Sequence, residues 1–365
     1  MAIRVVKVAG SPYAMGVQFG RAVRDEVHAL AAERLKLTLQ EMEIAGIRPD
    51  EDFCLETARE MLTVQQAWNP VVHAEFCGIA DGAGIDPARL LIGNGFTDFK
   101  DVVVQRVRAD VTECTSLFVL PEATATGRSY AAQTWDMHAS AEPFVLIVER
   151  HPDDGPKTLA LTTAGCLSLI GVNEAGIAIG NNNLTPDDAR PGVIYLAMIH
   201  AALQQRRFDD AVAAITGAPR ASGHHYYIVD DAGRGAGIET SALKYRTFAA
   251  EGGVYGHANH YLAAELAGSA GSVANSHARQ ESVDRLLAAK RGEHDVETLK
   301  RILESREALP DCICRHGDEA TTGADPRRSP AKTCAAAVID PAARGFWATW
   351  GPPDQAVWEW HALEV

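Results

Sequence analysis

Cys114 stands directly before Thr115 to Val119, a run that alternates towards a strand pattern, and a second such run ends in Gln133-Thr134-Trp135-Asp136. A cysteine at the first position of a strand is a nucleophile with an unusual option. If the chain cuts itself between Glu113 and Cys114, one residue carries both the attacking thiol and an α-amine that takes its proton. An α-amine titrates near ~8, so much of it is neutral around pH 7 and no separate histidine is needed as the base.

Hydrolysing or transferring an amide also requires donors for the oxyanion and a group that orients the base. Asp136 lies across one hairpin from Cys114, so both converge at one sheet end, where a carboxylate can hold and polarise the amine. Trp135 alternates to the other face of its strand and packs into the core. Asn259, in Gly256-His257-Ala258-Asn259-His260-Tyr261, follows a short strand and offers a side-chain amide as oxyanion donor. Asn181-Asn182-Asn183 follows a strand at 177–180 and reads equally as a donor site or as a turn with left-handed residues.

Two textures position these groups. Residues from about Ser11 to Phe99 read as helices, with one through Glu51 to Trp68 and a new start at Pro70. The Gly-rich stretch Gly78 to Gly84 marks a place where something packs closely on the helix backbone. From Val111 onwards strands dominate, at 115–120, 129–134, 144–150, 157–163, 225–230, 235–241 and 244–249. Asn173-Glu174-Ala175-Gly176 forms a tight turn. Helices fall near 193–205, 208–216, 277–290 and 295–305, and two strands, 334–339 and 345–350, close the pattern. Such an order points to a layered α+β domain with stacked sheets.

Cys114-Thr115-Ser116, Gln133-Thr134-Trp135-Asp136 and His257-Ala258-Asn259-His260 together resemble the acyl-coenzyme A:6-aminopenicillanic acid acyltransferase family of N-terminal nucleophile proteins. Glu75-x-x-Gly78-Ile79-Ala80-x-Gly82-Ala83-Gly84, Ile313-Cys314-Arg315-His316 and the tail Trp347 to Trp360 extend the resemblance along nearly the whole chain. It implies an αββα sandwich made as a precursor, in which a helical α-chain (1–113) stays bound to a β-chain (114–365) that carries the catalytic core. It also implies Cys114 as nucleophile, Asp136 as the carboxylate near the α-amine, Asn259 as oxyanion donor and Asn182 as a second polar position. Two positions depart from the family pattern. Glu113 stands where the family usually has Gly, which eases the strained geometry of an N→S acyl shift. Pro352 stands in the closing Gly-x-Pro segment where the penicillin enzyme carries Arg, which argues against a penicillin-type substrate and leaves Arg315 as a substitute cation.

The expected substrate is a small-molecule N-acyl amide, and an acyl-CoA donor would share the same thioester intermediate. This chemistry requires no metal or organic cofactor. A ceramidase- or N-acylethanolamine-amidase-like hydrolase, which also carries Cys-Thr-Ser, is the alternative enzyme; a relative that never cuts at Glu113 and only binds is the alternative of another class.

Composition narrows the field further. A net charge of −14 over 365 residues argues against a nucleic-acid partner, which needs a basic face. No stretch approaches the ~20 apolar residues of a membrane span, and the N-terminus lacks a secretory apolar core. The seven scattered cysteines fit reduced thiols in the cytoplasm. Cys54, Cys77, Cys166 and Cys334 read as small buried hydrophobes. Cys312-x-Cys314 has no second matched pair, and His224-His225 and His257/His260 read as structural histidines.

Overall fold

The computed structural model describes residues 2–104, 114–267, 274–318 and 331–364. Strand β1 (Val5–Gly10) opens the chain, followed by helices α1 (Pro12–Ala22), α2 (Arg24–Ile44), α3 (Glu51–Trp68), α4 (Pro70–Ala83), α5 (Pro87–Asn94) and α6 (Phe96–Val104). Strands β2 (Cys114–Val119), β3 (Tyr130–His138), β4 (Val145–Pro152), β5 (Thr158–Thr163), β6 (Ile170–Asn173) and β7 (Ile177–Leu184) come next. Helices α7 (Tyr195–Leu203) and α8 (Phe208–Thr216) precede β8 (Gly223–Asp230), β9 (Gly235–Thr240), β10 (Tyr245–Phe248) and β11 (Val254–His257). Helices α9 (Ala274–Ala289) and α10 (Val296–Leu303) lead to β12 (Ala331–Asp340), β13 (Gly345–Trp350) and β14 (Glu359–Ala362).

The described strands form two sheets. One has eight strands in the order β1-β4-β5-β6-β7-β8-β9-β10, and the other has six in the order β11-β2-β3-β12-β13-β14. They stack through β2 against β7 and β8, β3 against β7, and β6 against β12 and β13. Helices α7 and α8 contact the eight-stranded sheet, and α9 and α10 the six-stranded one. The result is the αββα layer order expected from the sequence.

Period-two alternation decides what each face of β2 meets. Cys114 and Phe118 belong to the large core between the sheets. Leu117 and Val119 face the other way and pack with Val283 and Leu287 of α9 and Leu299, Ile302 and Leu303 of α10. Cys114 and Trp135 are cross-strand partners, so they share a face, and Trp135 is in the core as expected.

The helical half is tied into the same body. Strand β1 pairs in parallel with β4, from Val5↔Ile147 to Gly10↔Pro152. Asn69 caps α4 by accepting from the N–H groups of Val71 and Val72, Pro70 occupies its first turn, and Gly84 ends it at φ 68°. Between α1 and α4 the backbones nearly touch. A Cβ on Gly78 would lie 2.2 Å from Tyr13 O, and one on Gly16 would lie 2.1 Å from Glu75 O. The Gly-rich stretch is therefore the close-packing seam the sequence pointed to.

Two readings change. Asn181-Asn182-Asn183 is neither a turn nor beyond its strand: it continues β7, each residue paired with β8 at Tyr226, His225 and His224. The short strands β6 and β14 go unread in the sequence.

Candidate active site

Cys114 begins β2, is buried and belongs with the core between the sheets. Its backbone N–H donates to Asn259 Oδ1 at 2.6 Å. Its carbonyl oxygen accepts from Asn182 Nδ2 at 3.0 Å and from Arg279 Nη1 at 2.6 Å. The sulfur interacts with the Asp136 backbone N–H and the Gln133 side-chain amide. Burial and the nearby Asp136 carboxylate push the thiol up to about 12, against the smaller opposing pull of those donors and of Arg279.

Asn259 sits just past β11, where its backbone N–H donates to Ser276 Oγ at 2.8 Å. Its Oδ1 accepts from both Cys114 and Arg279, and its Nδ2 donates to Asn183 O at 2.9 Å. The residue expected as an oxyanion donor thus also holds the backbone nitrogen of Cys114.

Asn182 links three elements. Its Nδ2 donates to Cys114 O and to His257 O at 3.1 Å, while its Oδ1 accepts from Ser116 Oγ at 2.5 Å and bonds His225 Nδ1 at 3.0 Å. It pins β2 and β11 to the opposite sheet.

Asp136 comes to the same sheet end as Cys114, but the pleat turns its side chain to the opposite face from the thiol. There its Oδ1 accepts from Thr333 Oγ1 of β12 at 2.7 Å. Thr333 in turn joins Arg315, whose backbone N–H donates to Thr333 Oγ1 at 2.9 Å. Glu113 lies outside the described residues.

Arg279 is the residue that sequence reading missed. It rises from α9, is fully buried, and ties Cys114 O, Thr115 Oγ1 (3.1 Å), Asn259 Oδ1 (3.0 Å) and Asn275 Oδ1 (2.9 Å) into one cluster. Its one sequence signal is the i,i+4 spacing of Asn275 and Arg279 on a single helix face.

His224, His225, His257 and His260 all pack against other aromatic rings. The rings of His225 and His257 stack at 3.8 Å, and His257 Nε2 lies 2.8 Å from Glu239 Oε1. Burial and the neighbouring His277 lower His260 to about 3, so its ring is uncharged at neutral pH.

With this geometry in place, comparison with known proteins is decisive on one point. A family model for acyl-coenzyme A:6-aminopenicillanic acid acyl-transferase matches residues 124–355. The chain belongs to that family. Within reach of it is the acyl-coenzyme A:6-aminopenicillanic-acid-acyltransferase 40 kDa form of Emericella nidulans, 23% identical over 85% of this chain and 84% of that protein. An uncharacterized Archaeoglobus fulgidus protein is 25% identical over 82% of this chain, which spans 57% of that relative's length. Among solved structures, penicillin V acylase from Agrobacterium tumefaciens matches with TM-score 0.45 and 13% identity, covering 68% of this chain and 86% of that one. Conjugated bile acid hydrolase from Clostridium perfringens matches with TM-score 0.45 and 12% identity, over 69% and 97%. No described helix is long and apolar enough to cross a membrane, and none of the seven cysteines is in a disulfide.

Proposed function

We propose that the chain is a self-processing N-terminal cysteine amidase or acyltransferase acting on an N-acyl amide. The observation that carries this reading is the hydrogen bond from Cys114 N to Asn259 Oδ1 beside a buried thiol that opens a strand. Processing begins when Cys114 Sγ adds to the Glu113 carbonyl. The Glu113–Cys114 C–N bond breaks as the acyl group moves to sulfur, and water releases Glu113 as a carboxylate. Cys114 then carries a free α-amine at the place Asn259 already holds.

In turnover the α-amine takes the Sγ proton while sulfur attacks the acyl carbonyl. A backbone N–H and the side-chain amide of Asn259 stabilise the oxyanion. The C–N bond breaks, the leaving amine departs with the proton, and water or an acceptor amine resolves the thioester. Arg279 and Asn182 keep Cys114 fixed by its carbonyl throughout. The helical segment, joined to the rest by the pairing of β1 with β4 and by the Glu75–Arg150 ion pair, remains as the bound α-chain.

The family membership and the penicillin acyltransferase relative support acyl transfer from or to an amide nitrogen. The test is intact-mass spectrometry of the purified protein, alone and after incubation with a panel of N-acyl amides. Two fragments meeting at Glu113/Cys114 and an acyl adduct on the larger one are expected. A single intact chain of 39.2 kDa without adduct overturns the proposal.

A further inference from the structure

A second cluster of reactive side chains lies outside the nucleophile's immediate contacts. Cys314 Sγ is 3.1 Å from Asp354 Oδ1, and His316 Nε2 is 2.9 Å from both oxygens of the same carboxylate. All three ligand atoms fall within 4.8 Å of one another. Cys314 and His316 come from the segment after α10, and Asp354 from the turn after β13. Sequence spacing hides the set, because Asp354 arrives from 40 positions away.

We propose that Cys314, His316 and Asp354 form a binding site for a divalent transition metal of the zinc type. The donor set is one thiolate, one imidazole and one carboxylate, a combination that suits zinc and disfavours magnesium or calcium. Bonds of roughly 2.0–2.3 Å at tetrahedral angles place ligand atoms about 3.3–3.6 Å apart, so the two contacts to Asp354 need to lengthen by only a few tenths of an ångström. Binding replaces the Cys314 proton, which is released to solvent, with a sulfur–metal bond. Thiolate and carboxylate then balance the two positive charges, which suits a site whose thiol is buried. Water fills the fourth position.

The frame is built before any metal arrives. Cys314 N–H donates to Ser305 O at 3.0 Å, and Thr333 N–H donates to Arg315 O at 3.0 Å. The N–H groups of Gln355 and Ala356 both donate to Pro352 O, which fixes the turn that carries Asp354. Gln355 Nε2 lies 3.2 Å from His316 Nδ1, and a flip of that amide about its last bond would present its oxygen as acceptor to the Nδ1–H of a ligating imidazole.

The site also has a route to the nucleophile. Arg315, between two of the ligands, binds Thr333, and the Thr333 hydroxyl holds Asp136 at the sheet end where Cys114 begins its strand, on the face opposite the thiol. A bound metal would stiffen that connection. The proposal stands on its own geometry and does not depend on the chemistry assigned to Cys114.

The test is a titration of the purified full chain, in a Cys114→Ala background, with zinc and with cobalt. One equivalent of zinc is expected, with a thiolate-to-cobalt charge-transfer absorption in the near ultraviolet. Cys314→Ser should abolish that absorption, and Gln355→Ala should weaken zinc binding by about 10–100-fold. Asp354→Asn, at a partly exposed position, serves as the ligand variant if Cys314→Ser fails to fold. Absence of saturable binding, or unchanged binding in Asp354→Asn, overturns the site.

Discussion

Asn259 Oδ1 lies 2.6 Å from Cys114 N and 3.0 Å from Arg279 Nη2, so one side-chain oxygen joins Cys114 to a buried cation. Removing it takes away the group that positions the nitrogen and the amide proposed for the oxyanion. Asn259→Ala is therefore expected to lower kcat by on the order of 10²–10³. Steady-state hydrolysis of an N-acyl amide checks this; an unchanged rate removes Asn259 from the site.

Arg279 makes contacts that a lysine cannot reproduce together, because two separate guanidinium nitrogens reach Cys114 O and Asn259 Oδ1. Arg279→Ala is expected to cost about 3 kcal/mol of stability, through lost charged hydrogen bonds. Arg279→Lys should fold but cut slowly at Glu113–Cys114. Denaturant midpoints and the cleaved fraction against time separate the two effects. Normal cleavage in the lysine variant would show that a point charge suffices.

The uncut chain should hide its thiol. Burial and Asp136 raise Cys114 to about 12, above the ordinary thiol value, so the folded state favours the protonated form. Stability from this group is complete below the ordinary value and lost as pH rises towards 12. Peptide-resolved alkylation of a variant blocked in cleavage should label Cys114 slowly at pH 8, while the cut protein labels quickly. Equal rates would contradict the role of the free α-amine.

Glu75 has the opposite sign. Burial would raise its carboxyl, but His200 at 3.0 Å and Arg150 at 2.6 Å outweigh it and lower it to about 2. Its contribution, on the order of 3 kcal/mol, is present above the ordinary carboxylate range and fades as pH falls towards 2. Glu75→Gln should destabilise the protein at pH 7 and progressively less towards pH 3. Denaturation of both chains across that range gives the answer, and a pH-independent difference would refute the ion pairing.

The glycine seam admits no methyl group. Gly78→Ala places a Cβ 2.2 Å from Tyr13 O, so α1 and α4 must separate. A loss of about 2–3 kcal/mol is expected, as for overpacked cores. Thermal or denaturant unfolding measures it; a neutral effect would mean that the helices slide apart freely.

Local pattern determined much of this protein. Alternation marked β2, β3, β8 and β13, helical spacing with Asn69, Pro70 and Gly84 bounded α4, and the order of motifs from Cys114 to the Trp347–Trp360 tail carried the family resemblance. These features lie within one element or in linear order, where period and capping act. Only the tertiary structure decided which side chains meet. Stacking of the sheets brought Asn182 to Ser116, α9 delivered Arg279 to Cys114, and the turn after β13 carried Asp354 to Cys314. Those pairs are 66, 165 and 40 positions apart, and no local preference encodes a contact at such separations. The pleat made the finest decision, placing the Cys114 thiol and the Asp136 carboxylate on opposite faces of one sheet.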